Sequence, residues 1–322
     1  MSPCRRNLLS IALALPASRA FGGVPWSRAL LMGTGRVGGN YSLYGPAWGG
    51  LAQAATGVDI AFIASGGAAA NILLIEQGTA QLGMTSLPVA QAARAGSAAW
   101  TGGVKLQDFR ALFPMFPSVL QIISPVGTDI TTLAQLAGKT IGSGPMGGTG
   151  ASAVPAVLKA LGIRPGRVIA GDFLPQMQAL HDGRLAACAF IGAPPLPAIT
   201  RMAGREKFAL IGFSAEQQAR VQARLPGLRA MTLPAGLFPG QGVAVASVGT
   251  ENFAIATASL PGALAGEITK AALEGHAALA RVVPAAAQRP DIGAILAASI
   301  PFHPGAVDAL RAFGMKIPSR TG

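Results

Sequence analysis

The chain has 322 residues, with 25 Lys and Arg against 13 Asp and Glu, for a formal charge of +12. Apolar residues make up 51% of the chain, which excludes a wholly disordered protein and provides enough core for about two domains. Only two cysteines and three histidines are present, so the composition excludes a disulfide framework and predicts no metal site. The basic residues are scattered rather than clustered, which favours a preference for anionic ligands over nucleic-acid binding.

Residues 1–22 have the pattern of a signal peptide. Arg5 and Arg6 precede a short apolar run at 8–15, and Ser18-Arg19-Ala20 resembles a small-x-small cleavage site. The two arginines also fit a twin-arginine export signal, with an ordinary secretory signal as the alternative. No charge-free apolar run approaches the roughly 18 residues of a membrane-spanning helix. We therefore expect an exported, periplasmic protein that does not itself span the membrane.

The first third of the mature chain alternates strands and helices, which is typical of a parallel α/β unit. Strands are predicted at 29–32, 59–64 and 81–85, and helices at 44–56, 68–77 and 88–95. The middle third repeats this pattern, with strands at 120–124, 140–142 and 185–191 and helices at 129–138, 151–161 and 173–182. The last third is rich in Gly and Pro over 225–246, has an apolar run at 243–248, and ends in helices at about 261–283 and 290–298 and a short terminal helix.

Each of the two units has a glycine-rich turn between a strand and a helix. The first turn, 33–38, matches the G-x-G-x-x-G pattern of dinucleotide-binding proteins. In that class an acidic residue ends the second strand, whereas Asp59 opens it here, so an NAD-dependent oxidoreductase is the weaker interpretation. The second turn, 142–150, lacks the Gly-Lys-Ser/Thr ending of a nucleotide-binding loop. Both turns expose backbone N–H groups before a helix, so they either hold one anionic ligand between them or are merely tight turns.

Catalytic patterns are lacking in the sequence. It has no Gly-x-Ser-x-Gly motif and no conspicuous pair of carboxylates, and His181, His276 and His303 are widely separated. We therefore predict a protein that is not an enzyme and has no cofactor. His303 is interpreted as structural, bonding backbone carbonyls near its turn, while Tyr41 lies where its hydroxyl can bond a ligand.

Taken in order, the motifs resemble the TAXI family of extracytoplasmic solute receptors, which serve tripartite ATP-independent periplasmic (TRAP) transporters. The resemblance covers about residues 30–315 and rests on Gly33-Thr34-Gly35, Gly38-Gly39, Tyr41, Gly67, Asn71, Gly144, Gly147-Gly148-Thr149, Leu180-His181-Asp182-Gly183, Gly192-Ala193-Pro194 and Pro301-Phe302-His303-Pro304-Gly305-Ala306. The sequence departs from the family pattern at the third-strand turn, where Gln81 replaces an Asp and Ser86-Leu87-Pro88 fills the turn. This departure affects the expected ligand more than the expected fold.

The resemblance implies a type II periplasmic-binding-protein fold, in which two α/β lobes are joined by a hinge and close on a ligand in the cleft. Lobe one is expected at 28–117 and 213–322, and lobe two at 118–212. The implied partners are a small anionic solute, either a dicarboxylate or an amino acid, and the TRAP membrane subunits; a binding protein that feeds a sensor is the alternative.

The implied ligand-binding residues come from both lobes. The first turn and Tyr41 are expected to hold one end of the solute, and Asn71 to donate an amide hydrogen bond to it. Arg36 either pairs with a carboxylate or faces solvent. The full set is Gly35, Arg36, Gly39, Asn40, Tyr41, Ser65, Asn71 and Ser86 from lobe one, and Gly147, Gly148, Thr149, Gly192 and Pro194 from lobe two.

Overall fold

The computed structural model describes residues 29–288 and 292–318. The predicted signal peptide therefore lies outside the described residues. The strands are β1 Ala29–Gly33, β2 Asp59–Ile63, β3 Leu82–Ser86, β4 Phe109–Pro125, β5 Thr140–Gly142, β6 Arg167–Ile169, β7 Ala187–Gly192, β8 Phe208–Leu210, β9 Arg229–Leu233 and β10 Val245–Thr257. The α-helices are α1 Tyr41–Thr56, α2 Ala68–Glu76, α3 Leu87–Ala95, α4 Thr149–Ala160, α5 Phe173–His181, α6 Pro197–Ala203, α7 Ala215–Arg224, α8 Gly262–Glu274, α9 His276–Val282, α10 Gly293–Ala297 and α11 Pro304–Ala312.

The described strands form one hydrogen-bonded sheet with two parallel ends and an antiparallel middle. Its order is β2-β1-β3-β10-β4-β7-β5-β6. Strand β8 also pairs with β4, and β9 also pairs with β10. Strands β1, β2 and β3 are parallel to one another, as are β5, β6 and β7. The two parallel α/β units predicted from the sequence are thus both present, and the long antiparallel pair β4 and β10 joins them.

The two long strands are the main difference from the predicted elements. The sequence predicts only 120–124 of the 17-residue β4 and only the first part of the 13-residue β10. Pro114 and Pro117 lie within β4, and proline cannot donate to a strand ladder, which argues against a strand there. In the structure the register of β10 shifts beside these prolines, between Glu251 and Phe253 and again before Ile255. These irregularities let the pairing continue past residues that lack an N–H group.

Three predicted helices have different bounds in the structure. The helix predicted at 129–138 is a single 3-10 turn, Leu133–Leu136, because Thr132 and Gln135 form a capping box that begins the turn late. The helix predicted at 261–283 is divided at Gly275 into α8 and α9. The helix predicted at 290–298 is α10, and residues 290 and 291 lie outside the described residues.

The hydrophobic core is divided between the two ends of the sheet. Trp48, Met84 and Phe113 belong to a cluster at the β1–β3 end. A second cluster packs at the β5–β7 end. It combines residues of the middle third of the chain with residues beyond 210, among them Leu120, Ile141, Phe213, Val221 and Val248.

We therefore propose that lobe one comprises 29–117 and 250–318, and that lobe two comprises 118–249. Strand β4 enters lobe two near Ser118, and β10 returns from it at the paired position, Thr250. This proposal moves the return from 213 to about 250, because Phe213, Val221 of helix α7 and Leu228 pack in the lobe-two core.

His303 caps a helix, which is a structural role. Its Nδ1 accepts a hydrogen bond from the Gly305 N–H, 3.2 Å away, at the start of α11. Burial lowers the pKa of His303 below its usual range. The folded protein therefore holds this imidazole in its neutral form near pH 7.

We expect His303→Ala to lower the free energy of unfolding by about 1 kcal/mol at pH 7, the usual loss for a helix cap. Because the folded pKa lies below the unfolded value of about 6.5, acidification protonates the unfolded chain first, and stability falls as the pH drops below that value. His303→Asn should keep the cap and lose this pH dependence. Urea unfolding at pH 5 and pH 7 measures both effects, and an equal pH dependence in wild type and His303→Asn would contradict the assignment.

Candidate ligand-binding cleft

A cavity of about 60 Å³ lies between the two lobes and is partly open to solvent. Eight of the predicted ligand-binding residues line it: Gly35, Arg36, Gly39, Asn40, Tyr41, Gly148, Thr149 and Gly192. Because these residues come from both lobes, a molecule in the cavity contacts both at once.

Three helices begin at the cavity. Strands β1, β2 and β5 end in short loops, and helices α1, α2 and α4 follow these loops with their first turns facing the cleft. None of the three N-termini has a side-chain cap. Backbone N–H groups at such ends carry a partial positive charge and attract anions. The carboxyl ends of parallel strands thus produce an electropositive cleft with little help from charged side chains.

A polar chain from Tyr41 to strand β10 forms one wall of the cavity. The Tyr41 hydroxyl donates to Asn252 Oδ1 over 2.6 Å. The Asn252 amide nitrogen donates to the carbonyl of Phe116 and to the hydroxyl of Ser118, which fixes the orientation of the Asn252 amide group. Burial raises the pKa of Tyr41, so its hydroxyl stays protonated. Its two lone pairs can still accept a hydrogen bond from a ligand.

Asn40 lines the same cavity and has a buried polar atom without a partner. The residue is only 7% exposed, and its Oδ1 has no hydrogen-bond partner among the described residues. A buried acceptor without a partner costs about 1–3 kcal/mol. The Oδ1 atom is itself covered, so in this closed arrangement it is not reached from the cavity.

The two lobes are in direct contact around the cavity. The Gly147 carbonyl of lobe two accepts hydrogen bonds from the N–H groups of Ala69 and Ala70, at 2.8 and 3.3 Å. The Ser86 and Thr149 hydroxyls lie 2.8 Å apart, joining the lobes a second time. The structure is thus the closed arrangement of the cleft.

Glycines permit this close approach. A Cβ on Gly39 would lie 2.7 Å from the ring of Phe173 in the opposite lobe, and a Cβ on Gly66 would overlap the carbonyl oxygen of Met146. Neither position has room for a side chain while the lobes are closed.

The comparison with known proteins places the chain in a family. The model of the NMT1-like family matches residues 32–314. This chain belongs to the NMT1-like family.

Solved structures share its fold at low sequence identity. A structure described as a periplasmic transporter has a TM-score of 0.58 and 13% identity, over 85% of this chain and 92% of that one. The alkanesulfonate-binding protein SsuA from Xanthomonas axonopodis pv. citri, bound to MOPS, has a TM-score of 0.53 and 16% identity, over 90% and 94% of the two chains. A putative L-cystine ABC transporter from Listeria monocytogenes has a TM-score of 0.52 and 11% identity, over 82% and 99%. The predicted type II periplasmic-binding-protein fold is thereby confirmed.

In this NMT1-like protein Arg36 is paired with an acidic residue of the opposite lobe. Its Nε lies 3.4 Å from Asp172 Oδ1 in lobe two, at the mouth of the cleft. Both side chains are about half exposed, at 45% and 49%, so water screens the pair and it adds little stability. Arg36 also lines the cavity, which leaves its guanidinium within reach of an anionic ligand.

Five predicted ligand residues do not line the cavity: Ser65, Asn71, Ser86, Gly147 and Pro194. The prediction that Asn71 donates a hydrogen bond to a ligand does not agree with the structure. The Asn71 amide donates to the carbonyls of Thr34 and Met84, and its Oδ1 accepts from the Ser65 hydroxyl. Asn71 is fully buried and has no N–H left for a ligand, so it holds loops of lobe one together.

Other residues line the cavity although the sequence did not predict them as ligand-binding. They are Gly66, Gly67, Ala68, Phe116, Ser118, Ser143, Pro145, Gly150, Phe173, Ile191, Leu196 and Asn252. Several of these lie next to predicted residues in the same loops. Phe116, Ser118 and Asn252 lie instead on β4 and β10, whose crossing between the lobes no local pattern indicates. Phe173 is the first residue of α5, and its apolar side chain gives no indication in the sequence that it lines a binding site.

The arrangement of the first turn does not suit a dinucleotide. Asp59 pairs with Ala29 at the start of β1, while Gly33, at the turn, pairs with Ile63. The acidic residue thus lies about 13 Å from the turn, four residues along a strand. The described residues also contain no cluster of three metal-binding side chains, and none of their helices is long and apolar enough to span a membrane.

Proposed function

We propose that this protein is the extracytoplasmic solute-binding receptor of a TRAP-type transporter of the TAXI class. It captures a small anionic organic solute by closing its lobes and delivers the solute unchanged to membrane subunits. The observation that carries the proposal is the cavity between the lobes, which is lined by glycine-rich loops of both. The motif resemblance to TAXI receptors, membership of the NMT1-like family and the fold all support it.

The closed state explains how binding is coupled to recognition by a partner. A ligand shifts the equilibrium between open and closed forms only through contacts that it makes in the closed form. Here the cavity wall includes Tyr41 from lobe one and Thr149 from lobe two, so the solute joins the lobes. Membrane subunits that recognise only the closed surface would then engage loaded receptors.

The anionic character of the solute follows from the electrostatics of the cleft. The N-termini of α1 and α4 and the Arg36 side chain lie at the cavity, and no Asp or Glu lines it among the described residues. The N-terminus of α2 contributes less, because the N–H groups of Ala69 and Ala70 donate to the Gly147 carbonyl. The predicted signal peptide supports a periplasmic location, and one solved neighbour is described as a periplasmic transporter.

The proposal is tested by identifying the solute and then measuring its uptake. Protein prepared in its native host is denatured, and the released small molecules are identified by mass spectrometry. Adding the identified solute back at about 100 times its dissociation constant should stabilise the protein by roughly 2.7 kcal/mol, which is visible as a thermal shift.

Uptake of the labelled solute in cells with and without the protein then separates the possible partners. A TRAP system predicts uptake that requires the protein, is abolished by an ionophore and survives depletion of ATP. Uptake that follows ATP instead would contradict TRAP coupling. A lost signalling response with unchanged uptake would favour the sensor alternative. NADH fluorescence enhancement on binding would favour the oxidoreductase.

A further inference from the structure

We infer that the end of lobe two remote from the cleft binds the anionic phospholipid headgroups of a membrane surface. The inference goes beyond the proposed function, since it concerns a surface that does not include the cavity. It rests on a group of exposed basic side chains that the fold gathers from separate parts of the sequence. This group, the basic patch, consists of Lys139, Lys159, Arg164, Arg167 and Arg224.

The positive charge of the protein is concentrated in lobe two. Residues 118–249 contain 11 Lys and Arg but 5 Asp and Glu, whereas the lobe-one ranges 29–117 and 250–318 contain 9 basic and 8 acidic residues. Within lobe two, the segment 130–171 has four basic residues and no acidic residue. The basic residues, although scattered along the sequence, are therefore in local excess in the β5-α4-β6 unit.

Three residues of the basic patch lie where the parallel strands β5 and β6 begin. The Lys139 carbonyl accepts a hydrogen bond from the Arg167 N–H, 3.3 Å away. The Arg164 carbonyl accepts one from the Gly138 N–H, 2.9 Å away. Because the cavity lies at the carboxyl ends of these strands, their first residues are at the opposite end of the lobe.

The other two residues of the basic patch come from the ends of helices α4 and α7. Lys159 lies in the last turn of α4, and Arg224 of α7 donates through Nη1 to the Ala160 carbonyl, 2.7 Å away. Helix α4 begins at the cavity with Thr149 and has 12 residues, so its far end is about 18 Å from the cavity. The basic patch is thus a surface separate from the cleft.

The side chains of the basic patch have no acidic partner in the described part of the chain. All five residues are exposed, and none forms an ion pair within 29–288 and 292–318. Elsewhere in lobe two Arg184 and Arg220 pair with Asp182 and Glu216. A basic residue on an edge strand discourages strand pairing, but this reason applies only to Arg167 of β6. Uncompensated like charges repel one another, and an anionic partner relieves that repulsion.

A membrane surface fits the basic patch better than a protein partner does. Specific protein interfaces are centred on aromatic and other apolar anchors. Lobe two, described throughout, exposes the large apolar side chains of Val126, Met146 and Val243, and none of these lies in β5, β6, α4 or α7. Headgroup phosphates require only positive charge, and an Arg guanidinium can donate two parallel hydrogen bonds to phosphate oxygens. Binding of this kind is weak and reversible, and it keeps the receptor close to the membrane.

Sedimentation with lipid vesicles tests the inference. Vesicles of phosphatidylcholine with about 30% phosphatidylglycerol provide an anionic surface, and vesicles of phosphatidylcholine alone are the neutral reference. We expect the full protein to bind the anionic vesicles at about 0.05 M salt and to leave them at about 0.5 M salt, because salt screens interactions between exposed charges. It should not bind the neutral vesicles.

Two double variants with the same net charge locate the binding surface. Lys139→Gln with Arg164→Gln removes two charges from the basic patch, and Lys105→Gln with Arg281→Gln removes two exposed charges from lobe one. Each basic side chain near anionic headgroups contributes about fivefold, so the patch variant should bind roughly 20- to 30-fold more weakly than wild type. The lobe-one variant should bind like wild type. Both variants should keep the melting temperature and the solute affinity of wild type, since the four side chains are exposed and lie outside the cavity lining.

An equal loss of vesicle binding in the two variants would overturn the inference, because net charge rather than the basic patch would then be responsible. Equal binding to neutral vesicles would overturn it as well. So would absence of vesicle binding, and binding of polyglutamate or of DNA that requires Lys139 and Arg164 would then assign an acidic protein or a nucleic acid as the partner. None of these outcomes affects the receptor function, which is tested separately by the released solute.

Discussion

Gly66→Ala is expected to weaken solute binding by about fivefold to a hundredfold without unfolding the protein. In the closed structure a Cβ on Gly66 would overlap the Met146 carbonyl oxygen, which belongs to the backbone of the opposite lobe. Forcing an extra carbon into a packed contact costs about 1–3 kcal/mol, and each 1.4 kcal/mol is tenfold in affinity. The penalty applies only to the closed form, because the open form separates Gly66 from Met146.

Titration calorimetry with the identified solute measures the loss of affinity, and small-angle scattering with and without solute measures closure. Gly204→Ala is the matched control, since a Cβ there meets no atom within 4 Å and the position lies outside the cavity lining. If Gly66→Ala binds the solute as tightly as Gly204→Ala does, solute binding does not depend on the contact between Gly66 and Met146.

Asn71→Ala is expected to destabilise the protein by about 3 kcal/mol or more, since it leaves buried carbonyls without donors at about 1–3 kcal/mol each. The lost bonds are those to Thr34 and Met84, at 3.0 and 2.8 Å, and the Ser65 hydroxyl loses one of its two acceptors while the Thr34 carbonyl remains. Urea unfolding of the solute-free protein, with the slope checked for change, measures this loss.

Asn40→Ala provides the matched comparison, because it removes the same side chain from a buried position whose Oδ1 has no partner to lose. We expect Asn40→Ala to reduce affinity and barely change stability, and Asn71→Ala to do chiefly the opposite. A stable Asn71→Ala protein with greatly reduced affinity would restore Asn71 as a ligand-binding residue.

The comparison of these two asparagines shows where sequence reasoning reaches its limit. Both follow glycine-rich turns, and the family resemblance treats them alike as ligand-binding positions. The difference arises from their surroundings, since the amide of Asn71 lies between the ends of β1 and β3 whereas that of Asn40 faces the cleft. Sequence spacing brings a residue to the right loop but does not determine which neighbours its side chain meets.

The two α/β units, the glycine-rich turns after β1 and β5, and half of the lobe-one lining could be predicted from the sequence alone. These features depend on local properties: alternating apolar runs, glycine in turns, and helices that begin where strands end. The way the units are joined is seen only in the folded protein, because β4 and β10 pair across more than a hundred residues, past two prolines. The same long-range pairing brings Asn252 to Tyr41 and Phe173 to Gly39. Such contacts depend on which distant segments pack together, and that information is not carried by any short stretch of the chain.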